Sequence, residues 1–403
     1  MNNWKDLYWG DLITLEYGKP CPNYADNIGE YPVFGTNGKI GQSKKALCNH
    51  SSVIIGRKGA YRGVHYSDKP FWVIDTAFYL EPKVDIDLKW AYYNLLTQDI
   101  NGMDSGSAIP STSRQDFYFL SVKIPPLSEQ KAIAHILSSL DDKIELNRQI
   151  NETLEAMARA IFKSWFVDFD PVRAKMEGRQ PAGMDAATAD LFPDEFEESS
   201  LGLIPKGYEI KSLDEIANFL NGLALQKYPP NGEEYLPVIK IVELRKGITE
   251  QSAKASIDIP LDYIVENGDI LFSWSGSLVN CIWCGGKGAL NQHLFKVTST
   301  KYPKWFYYQW INYHLPEFQF IAASKATTMG HIQRHHLKEA KVIVPSSILL
   351  SFMDKIMNPI IEQVIKNNLE SHTLATLRDT LLPKLMSGQI RVKEVEKIME
   401  KLT

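Results

Sequence analysis

Apolar residues recur every three or four positions along a stretch that begins just after Pro125 and Pro126. No proline interrupts this stretch until Pro171, and Ser128 stands where the N-terminus of a helix is expected. Alternating spacings of three and four residues are typical of the a/d seam of a coiled coil. The pattern therefore predicts one long amphipathic helix. Its buried stripe would consist of positions 137, 140, 144, 154, 158, 161 and 165.

The chain also repeats itself at an offset of about 220 residues. Trp90 in the string WAYY returns as Trp305 in WFYY, and Arg114 returns as Arg334. The helical stripe repeats in constant register, with Leu137, Ile144, Leu154 and Ile161 matched by Met357, Val364, Leu374 and Leu381. The repeat predicts two copies of one unit, each a globular part followed by a long helix, related by pseudo-twofold symmetry. Two stripes in one chain should pack together, antiparallel because a globular part separates them. Helices of about 40 residues are ~60 Å long and would hold two domains well apart.

Polar residues interrupt the stripe in the middle of each predicted helix. Asn147 and Asn151 occupy stripe positions in the first helix, and Asn367 and Ser371 occupy the matching positions in the second. A buried asparagine in a coiled-coil seam costs stability but fixes the register of the helices. Asn147, Asn151 and Asn367 are therefore predicted to set the register. The alternative is that these side chains face solvent on a frayed middle turn.

The globular parts show the patterns of mixed, strand-rich structure. Short apolar runs precede glycine-containing turns at residues 51–56 and 268–274, and residues 70–82 alternate as a strand would. Residues 89–98 and 304–315 predict short helices. The predicted fold class is α+β, with two globular mixed α/β domains joined by two long antiparallel coiled-coil helices. The predicted segments are a first globular domain at 1–126, a central helix at 127–167, an acidic linker at 168–200, a second globular domain at 201–346, and a C-terminal helix and tail at 347–403.

Charge changes this picture only when it is counted by segment. The 403-residue chain has 44 Lys and Arg against 48 Asp and Glu, a formal net charge of −4. However, no acid occurs from Tyr31 to Ser67, and Glu317 is the only acid from Ile270 to Lys338. Such windows are typical of surfaces that face phosphates, although ordinary solvated faces are an alternative. The candidate DNA contacts are Lys39, Lys44, Lys45, Arg57, Lys58 and Arg62 in the first window, and Lys287, Lys296, Lys325, Arg334 and Lys338 in the second.

Several classes of protein are excluded by what the sequence lacks. No run approaches 18 apolar residues, and the N-terminal segment has neither the basic nor the apolar region of a secretory signal. Four cysteines are too few for a disulfide scaffold. A soluble, cytoplasmic protein without membrane association is therefore expected.

Catalytic motifs are missing as well. The glycine-rich segment 35–41 lacks the spacing of a nucleotide-binding loop, and no paired carboxylates or nucleophile motifs occur. Cys281 and Cys284, with His293, form half of a zinc pattern, but a structural cysteine pair is the favoured interpretation. The chain is thus predicted to be non-catalytic and to bind no metal or cofactor of its own.

Three strings resemble those of a known family. Residues 126–175, which include PLSEQKAIAHILSSLDDKIELNRQINETLEAMARAIFKSWF, are similar to the central conserved region of type I restriction–modification specificity subunits. TLLPKLMSGQIRV, residues 380–392, resembles the C-terminal signature of that family. LFPDEFEESSLGLIPKGYE, residues 191–209, resembles the bridge into its second target recognition domain. With the internal repeat, the resemblance covers the whole chain. The family's plan is two target recognition domains, each followed by a conserved helix, with the helices in an antiparallel coiled coil.

The resemblance implies a subunit that reads double-stranded DNA without catalysis. Each recognition domain would read one half of an interrupted target, and the helices would set the spacer. Two modification subunits would dock on the helices and methylate adenine with S-adenosylmethionine. Restriction (helicase–nuclease) subunits would add translocation and cleavage that depend on ATP and Mg. Arg114 joins Arg334 among the DNA-contact candidates. Their equivalent positions favour a backbone contact or a structural role, because half-sites of different sequence need different readers.

Two other classes remain open from the sequence. A coiled-coil adaptor without DNA reading would show the repeat and the helices, but it would not need the two acid-free windows. A catalytic nuclease would need a cluster of carboxylates, which the motifs do not supply.

Overall fold

The computed structural model describes residues 3–103, 109–324 and 330–394. The chain forms two compact units. The first unit comprises residues 1–144 and 373–403, and the second comprises residues 145–372. Each unit contains one part of each of two long helices. No helix in the described ranges is both long and apolar enough to cross a membrane.

The first unit contains the N-terminal globular domain, which is built around short strands. Its strands are β1 (Lys5–Tyr8), β2 (Ile13–Tyr17), β3 (Tyr31–Gly35), β4 (Gly38–Ser43), β5 (Ser52–Gly56), β6 (Val64–Ser67), β7 (Trp72–Val73), β8 (Ala77–Pro82) and β9 (Ser121–Ile124). Its short helices are α1 (Trp9–Leu12), α2 (Leu88–Leu96) and α3 (Arg114–Tyr118). The first long helix, α4 (Leu127–Phe166), follows β9 and continues into the second unit.

The second unit has more elements, and its globular domain is likewise followed by a long helix. Its helices are α5 (Asp170–Met176), α6 (Ala186–Ala189), α7 (Leu213–Ile216), α8 (Ile241–Lys246), α9 (Lys304–Ser324) and α10 (Arg334–Glu339). Its strands are β10 (Phe196–Ser199), β11 (Gly202–Pro205), β12 (Glu209–Ser212), β13 (Asn218–Asn221), β14 (Leu236–Ile239), β15 (Lys254–Ala255), β16 (Ile264–Val265), β17 (Ile270–Ser273), β18 (Asn280–Ile282), β19 (Gly288–Leu290), β20 (Leu294–Thr298) and β21 (Lys341–Val344). The second long helix, α11 (Ser347–Met386), follows β21 and ends in the first unit.

The two globular domains share one sheet plan, so the sequence repeat is a repeat of topology. The antiparallel sheet β2-β8-β5-β6 corresponds to β13-β20-β17-β18. β3 pairs in parallel with β7, as β14 does with β19. β1 pairs with β9, and β12 with β21, just before each long helix. The structure is therefore of the predicted α+β class, with a doubled domain and a long helix after each copy.

The repeated tryptophans explain why the WAYY and WFYY strings form helices at the centre of each core. Trp90 and Trp305 are both fully buried. Trp90 stacks on Trp9 in the first unit, with ring centroids 6.3 Å apart. Trp305 donates its indole N–H to Asp354 Oδ1 in the second, at 3.1 Å. Each helix thus buries its large aromatic side chain against neighbouring elements, which favours folding by several kcal/mol (about 3–5 per large aromatic).

Two local predictions differ from the structure. Residues 70–82 form two strands, β7 and β8, because the chain turns between Val73 and Ala77, where the Ala77 amide donates to the Ile74 carbonyl. The helix predicted at 304–315 extends to Ser324 and continues through Pro316, since its buried aromatic face outweighs the lost hydrogen bond.

The long helix α4 ends at Phe166, before Phe169 adopts a left-handed conformation (φ 58°) and Pro171 begins α5.

Within the first unit, the long helices pack against each other and against α2. Arg378 on α11 donates to Asp141 Oδ1 on α4 at 2.6 Å. The Tyr93 hydroxyl on α2 donates to the other carboxylate oxygen at 2.5 Å. Burial, together with this bond to a carboxylate, raises the pKa of Tyr93 above its usual value. One carboxylate therefore connects three helices.

The two ends of the described chain also meet within the first unit. The Trp4 indole N–H donates to Glu129 Oε2 at 2.9 Å, and Arg391 donates to Glu129 Oε1 at 2.8 Å. The Arg391 guanidinium lies 5.5 Å from the centroid of the Trp4 ring. The segment after α11 is thus attached both to the start of α4 and to the N-terminal segment.

Candidate nucleic-acid interface

Four lysines of the first window are exposed and available to an anionic ligand. Lys39 lies on β4, Lys44 and Lys45 follow that strand, and Lys58 lies in the turn after β5. Within the described part of the chain, none of these four ammonium groups has an ion-pair partner. Exposed lysines of this kind suit phosphate contacts, which position a protein on DNA without reading its sequence.

Lys44 and Lys45 line a cleft of about 400 Å³ with Trp72 and Asp26. Asp26 precedes the acid-free window in sequence, but folding brings it to the same surface. The Trp72 indole N–H donates to the Lys19 carbonyl at 2.8 Å, which fixes the ring at the wall of the cleft. The positive surface is therefore less free of acids than the sequence window suggests.

Arg62 does not fit its predicted role as a DNA contact. Its side chain is almost fully buried, with 2% exposure. The guanidinium donates to four backbone carbonyls, those of Gly59, Ile100, Asn101 and Met103, at 2.7–3.3 Å. Loops have carbonyls without strand partners, and a buried arginine can satisfy several of them at once. Arg62 thus fastens the turn after β5 to the loop after α2.

Arg57 and Arg114 meet at one aromatic ring. The guanidinium carbon of each lies 4.9 Å from the centroid of the partly exposed Tyr17 ring. Arg57 also donates to the Asp75 carbonyl at 3.0 Å, and Arg114 donates to the Tyr118 hydroxyl at 3.0 Å. Burial opposes the charge of Arg114, but hydrogen bonds to the Tyr118 and Tyr17 hydroxyls raise its pKa. The pair forms a fixed cationic cluster that the charge count did not reveal, because Tyr17 lies outside the window.

In the second unit, the predicted basic residues divide into available and committed groups. Lys287 and Lys338 are exposed, and no ion pair of theirs occurs among the described residues. Lys296, however, pairs with Asp269 Oδ2 at 2.9 Å and donates to the Ile264 carbonyl at 2.9 Å. Its side chain is only 17% exposed, which argues against the predicted DNA contact. Lys325 lies outside the described residues.

Arg334 occupies the position that Arg114 occupies in the first unit, as the first residue of a short helix before the last strand. It donates to the Phe219 carbonyl on β13 at 3.2 Å and lies over the Phe295 ring, 5.6 Å from its centroid. In both copies the arginine therefore contacts an aromatic ring of the four-stranded sheet. This geometry agrees with the structural role that their equivalent positions favour.

The seam asparagines are buried in the second unit, which excludes the alternative that they face solvent. Asn147, Asn151 and Asn367 are 1–7% exposed. Asn367 donates to Asn151 Oδ1 at 2.8 Å, and Asn151 donates to Asn368 Oδ1 at 2.8 Å. Asn147 donates to Glu370 Oε2 at 2.9 Å and to the hydroxyl of Ser371 at 3.3 Å. These bonds join antiparallel segments of α4 and α11, and they include acceptors that the stripe pattern did not identify.

The half zinc pattern of the second unit does not assemble. His293 Nδ1 lies 3.0 Å from the Ser275 hydroxyl. Among the residues that the structure describes, Cys281, Cys284 and His293 are not part of any group of converging metal ligands. Burial raises the pKa of Cys281 to about 12, so its thiol is protonated at neutral pH.

Comparison with known families identifies the family that this doubled domain matches. Residues 1–156 and 205–378 match the family described as the type I restriction modification DNA specificity domain. The two matched segments coincide with the two copies of the repeat and include most of each long helix. The chain belongs to this family. The resemblance of its central and C-terminal strings to type I specificity subunits is thereby confirmed.

Relatives of this specificity-domain protein share nearly its whole length. It is 25% identical to the type I restriction enzyme MjaIX specificity subunit of Methanocaldococcus jannaschii, over 96% of this chain and 89% of that protein. It is 28% identical to the HindI specificity subunit of Haemophilus influenzae, over 97% of this chain and the full length of the relative. A crystal structure of the S subunit of a type I restriction–modification system from M. genitalium has a TM-score of 0.63, 19% identity and 96% coverage of both chains. The fold of this specificity-domain protein is therefore that of an S subunit.

Proposed function

We propose that this chain is the DNA-specificity subunit of a type I restriction–modification complex, in which each recognition domain reads one half of a bipartite target. The observation that carries the proposal is the doubled domain, each copy matching the specificity family and each followed by a 40-residue helix. An interrupted DNA target has two half-sites of different sequence, and two variants of one reading domain suit it. The exposed lysines supply phosphate contacts, and loop side chains supply base contacts.

Exchanging one recognition domain tests this proposal. The chimera replaces residues 1–126 with the corresponding domain of a relative, so that the break falls at the start of α4. We expect the methylated target to change in one half only, because the second domain is untouched. Sequencing of methylated bases in cells that carry the complete complex measures the outcome. The reciprocal exchange of residues 201–346 is the matched control. A target that changes in both halves would contradict independent readers.

Within such a complex, the chain would act without catalysis of its own. Two modification subunits would bind S-adenosylmethionine and methylate adenine, and restriction (helicase–nuclease) subunits would use ATP and Mg. The protein would act in the cytoplasm, where its DNA substrate lies. The adaptor alternative has no comparable support, since it leaves the match to a DNA specificity family unexplained.

An exposed apolar face of α4 is the proposed docking surface for a modification subunit. Leu146, Ile150 and Met157 are 37–50% exposed, and their spacing puts them on one side of the helix. Replacing all three by glutamine should weaken the complex about 100-fold, since each apolar side chain contributes about 1 kcal/mol on burial. Co-purification with the modification subunit at graded concentrations measures this loss.

A control triple variant separates docking from general surface change. Leu203, Leu261 and Phe320 are exposed apolar residues of the same unit outside the long helices. Their replacement by glutamine should leave the affinity for the modification subunit unchanged. Equal losses from both triples would exclude α4 as the docking face.

Helix length is the proposed determinant of the spacer between half-sites. The asparagine bonds set a register in which residues 154–160 of α4 face residues 356–362 of α11. Deleting both heptads keeps the seam in phase and shortens each helix by ~10.5 Å. DNA rises about 3.4 Å per base pair, so the preferred spacer should shrink by about three base pairs. Selection from a library with fixed half-sites and a varied spacer gives the answer, and retention of the parental spacer would contradict it.

A further inference from the structure

Three side chains with metal-binding atoms converge in the first unit. Cys48 Sγ, a ring nitrogen of His50 and a carboxylate oxygen of Glu81 all lie within 4.8 Å of one another. The set combines one sulfur, one nitrogen and one oxygen ligand. Zinc favours such sets, whereas Mg²⁺ and Ca²⁺ take oxygen ligands.

The fold holds these three residues on a fixed frame. Cys48 exchanges two backbone hydrogen bonds with Phe71, both 3.0 Å long, and its side chain is buried. His50 lies just before β5, and Glu81 lies on β8, the strand that pairs with β5. The Ser52 hydroxyl donates to the Leu80 carbonyl at 2.6 Å and joins the two strands next to the site.

Hydrogen bonding orients the imidazole as a ligand. His50 Nδ1 lies 2.8 Å from the Ser51 carbonyl, an acceptor to which only a protonated Nδ1 can donate. This bond directs Nε2 toward Glu81, whose carboxylate oxygens lie at 3.1 and 3.2 Å. With Nδ1 directed at the carbonyl, Nε2 and the carboxylate oxygens can coordinate one metal ion together. A backbone carbonyl behind the ring is the usual second partner of a metal-bound histidine.

We propose that Cys48, His50 and Glu81 bind one Zn²⁺ ion, with water as the fourth ligand. Zinc bonds of about 2.3 Å to sulfur and 2.0–2.1 Å to nitrogen put tetrahedral ligand atoms about 3.5 Å apart. The three ligand atoms are at most 4.8 Å apart. They reach this geometry if side-chain rotations move them by about 1 Å. The Cys48 thiol donates to the His50 backbone carbonyl at 3.4 Å, which holds the sulfur beside the imidazole. Burial raises the pKa of the Cys48 thiol to about 11, and a bound zinc ion would displace its proton.

The ion would order the segment that carries two of the predicted DNA contacts. Residues 44–51 connect β4 to β5, with Lys44 and Lys45 at the start and His50 near the end. Zinc would tie the end of this segment to β8. The proposal does not depend on DNA reading, because zinc binding is measured on the chain without DNA.

Zinc titration of the metal-free full chain tests the proposal. We expect one equivalent to bind, and Co²⁺ in its place to give the absorption band of a thiolate ligand. His50→Gln and Glu81→Gln should each lower the affinity at least tenfold, and Cys48→Ser should abolish the thiolate band. Both His50 and Glu81 have side chains about 40% exposed, so these two variants should fold even if Cys48→Ser does not.

Cys21→Ser is the matched control, since Cys21 is the other cysteine of the same unit. It should keep the equivalent of zinc and the cobalt band. A chain that binds no stoichiometric zinc would overturn the proposal. Unchanged zinc affinity in both His50→Gln and Glu81→Gln would overturn it as well. Neither result would bear on the DNA-specificity function.

Discussion

Replacing Lys44, Lys45 and Lys58 together by glutamate should reduce the salt dependence of DNA binding. Each lost phosphate contact removes about 0.9 from the slope of log K against log salt concentration, so the slope should fall by about 2.7. The physical reason is that a lysine at a phosphate releases a condensed counterion, whereas a glutamate cannot. The three side chains are exposed, and among the described residues they have no ion-pair partner. Titration of the methyltransferase complex on its target across a salt series measures the slope.

The matched control places the same charge change elsewhere in the first unit. Lys5, Lys123 and Lys131 are also exposed, but they lie outside the acid-free window. Their replacement by glutamate should leave the slope within about one contact of the wild type. Both triple variants should melt at the wild-type temperature, since surface substitutions change stability by less than about 0.5 kcal/mol. Equal slopes for the wild type and the Lys44/Lys45/Lys58 variant would place the DNA surface elsewhere.

Arg62→Ala should destabilise the first unit without a specific change in the salt slope. The substitution removes four donated hydrogen bonds and leaves carbonyls of two loops without partners. Hydrogen bonds from a charged donor contribute about 1.5–3 kcal/mol each, and they are not additive within one guanidinium. A loss of about 3 kcal/mol is expected, which lowers the melting temperature of a unit of this size by roughly 6–12 °C. Calorimetry of the full chain resolves the transition of the affected unit.

Arg57→Ala is the control for this prediction, because Arg57 is half-buried and makes one hydrogen bond to a backbone carbonyl. The melting temperature of the Arg57→Ala variant should fall by only a few degrees. Hydrogen exchange should also rise at residues 100–103 in Arg62→Ala but not in Arg57→Ala. If Arg62→Ala left the melting temperature unchanged and reduced the slope of log K against log salt concentration by about 0.9, Arg62 would be a DNA contact after all.

The long helices and the domain repeat were predictable because both appear as regular spacings in the sequence. Apolar spacing depends only on the geometry of one helix, so Leu137 and Met357 could be assigned to the seam without knowledge of the fold. The turn between β7 and β8 was not predictable, because residues 70–82 keep the alternation of a strand across it. The asparagines were identified from their stripe positions, but their acceptors Asn368 and Glu370 depend on how two helices meet. No single-helix pattern contains that information.

The candidate DNA surface was only partly predictable, because charge windows are linear and surfaces are not. Asp269 lies one residue before the second window and neutralises Lys296, and Asp26 enters the cleft beside Lys44. Arg62 is a basic residue inside the acid-free window, so the sequence predicts a DNA contact. Only its burial in the structure shows that it stabilises loops instead. The cluster at Tyr17 was missed for the opposite reason, since an aromatic residue does not appear in a count of charges.

The discontinuity of the first unit has a consequence for the order of events on the ribosome. The second unit consists of one continuous range, 145–372, whereas the first needs residues 373–394 to complete its core. Leu381, Leu385 and Met386 pack in the same core as Trp90, although almost three hundred residues separate them in the chain. Domains usually mature in the order of synthesis, N-terminal first. Here the N-terminal domain should remain incomplete, with apolar core surface exposed, until translation has passed α11. The nascent chain would then acquire its first protease-resistant fragment from its middle.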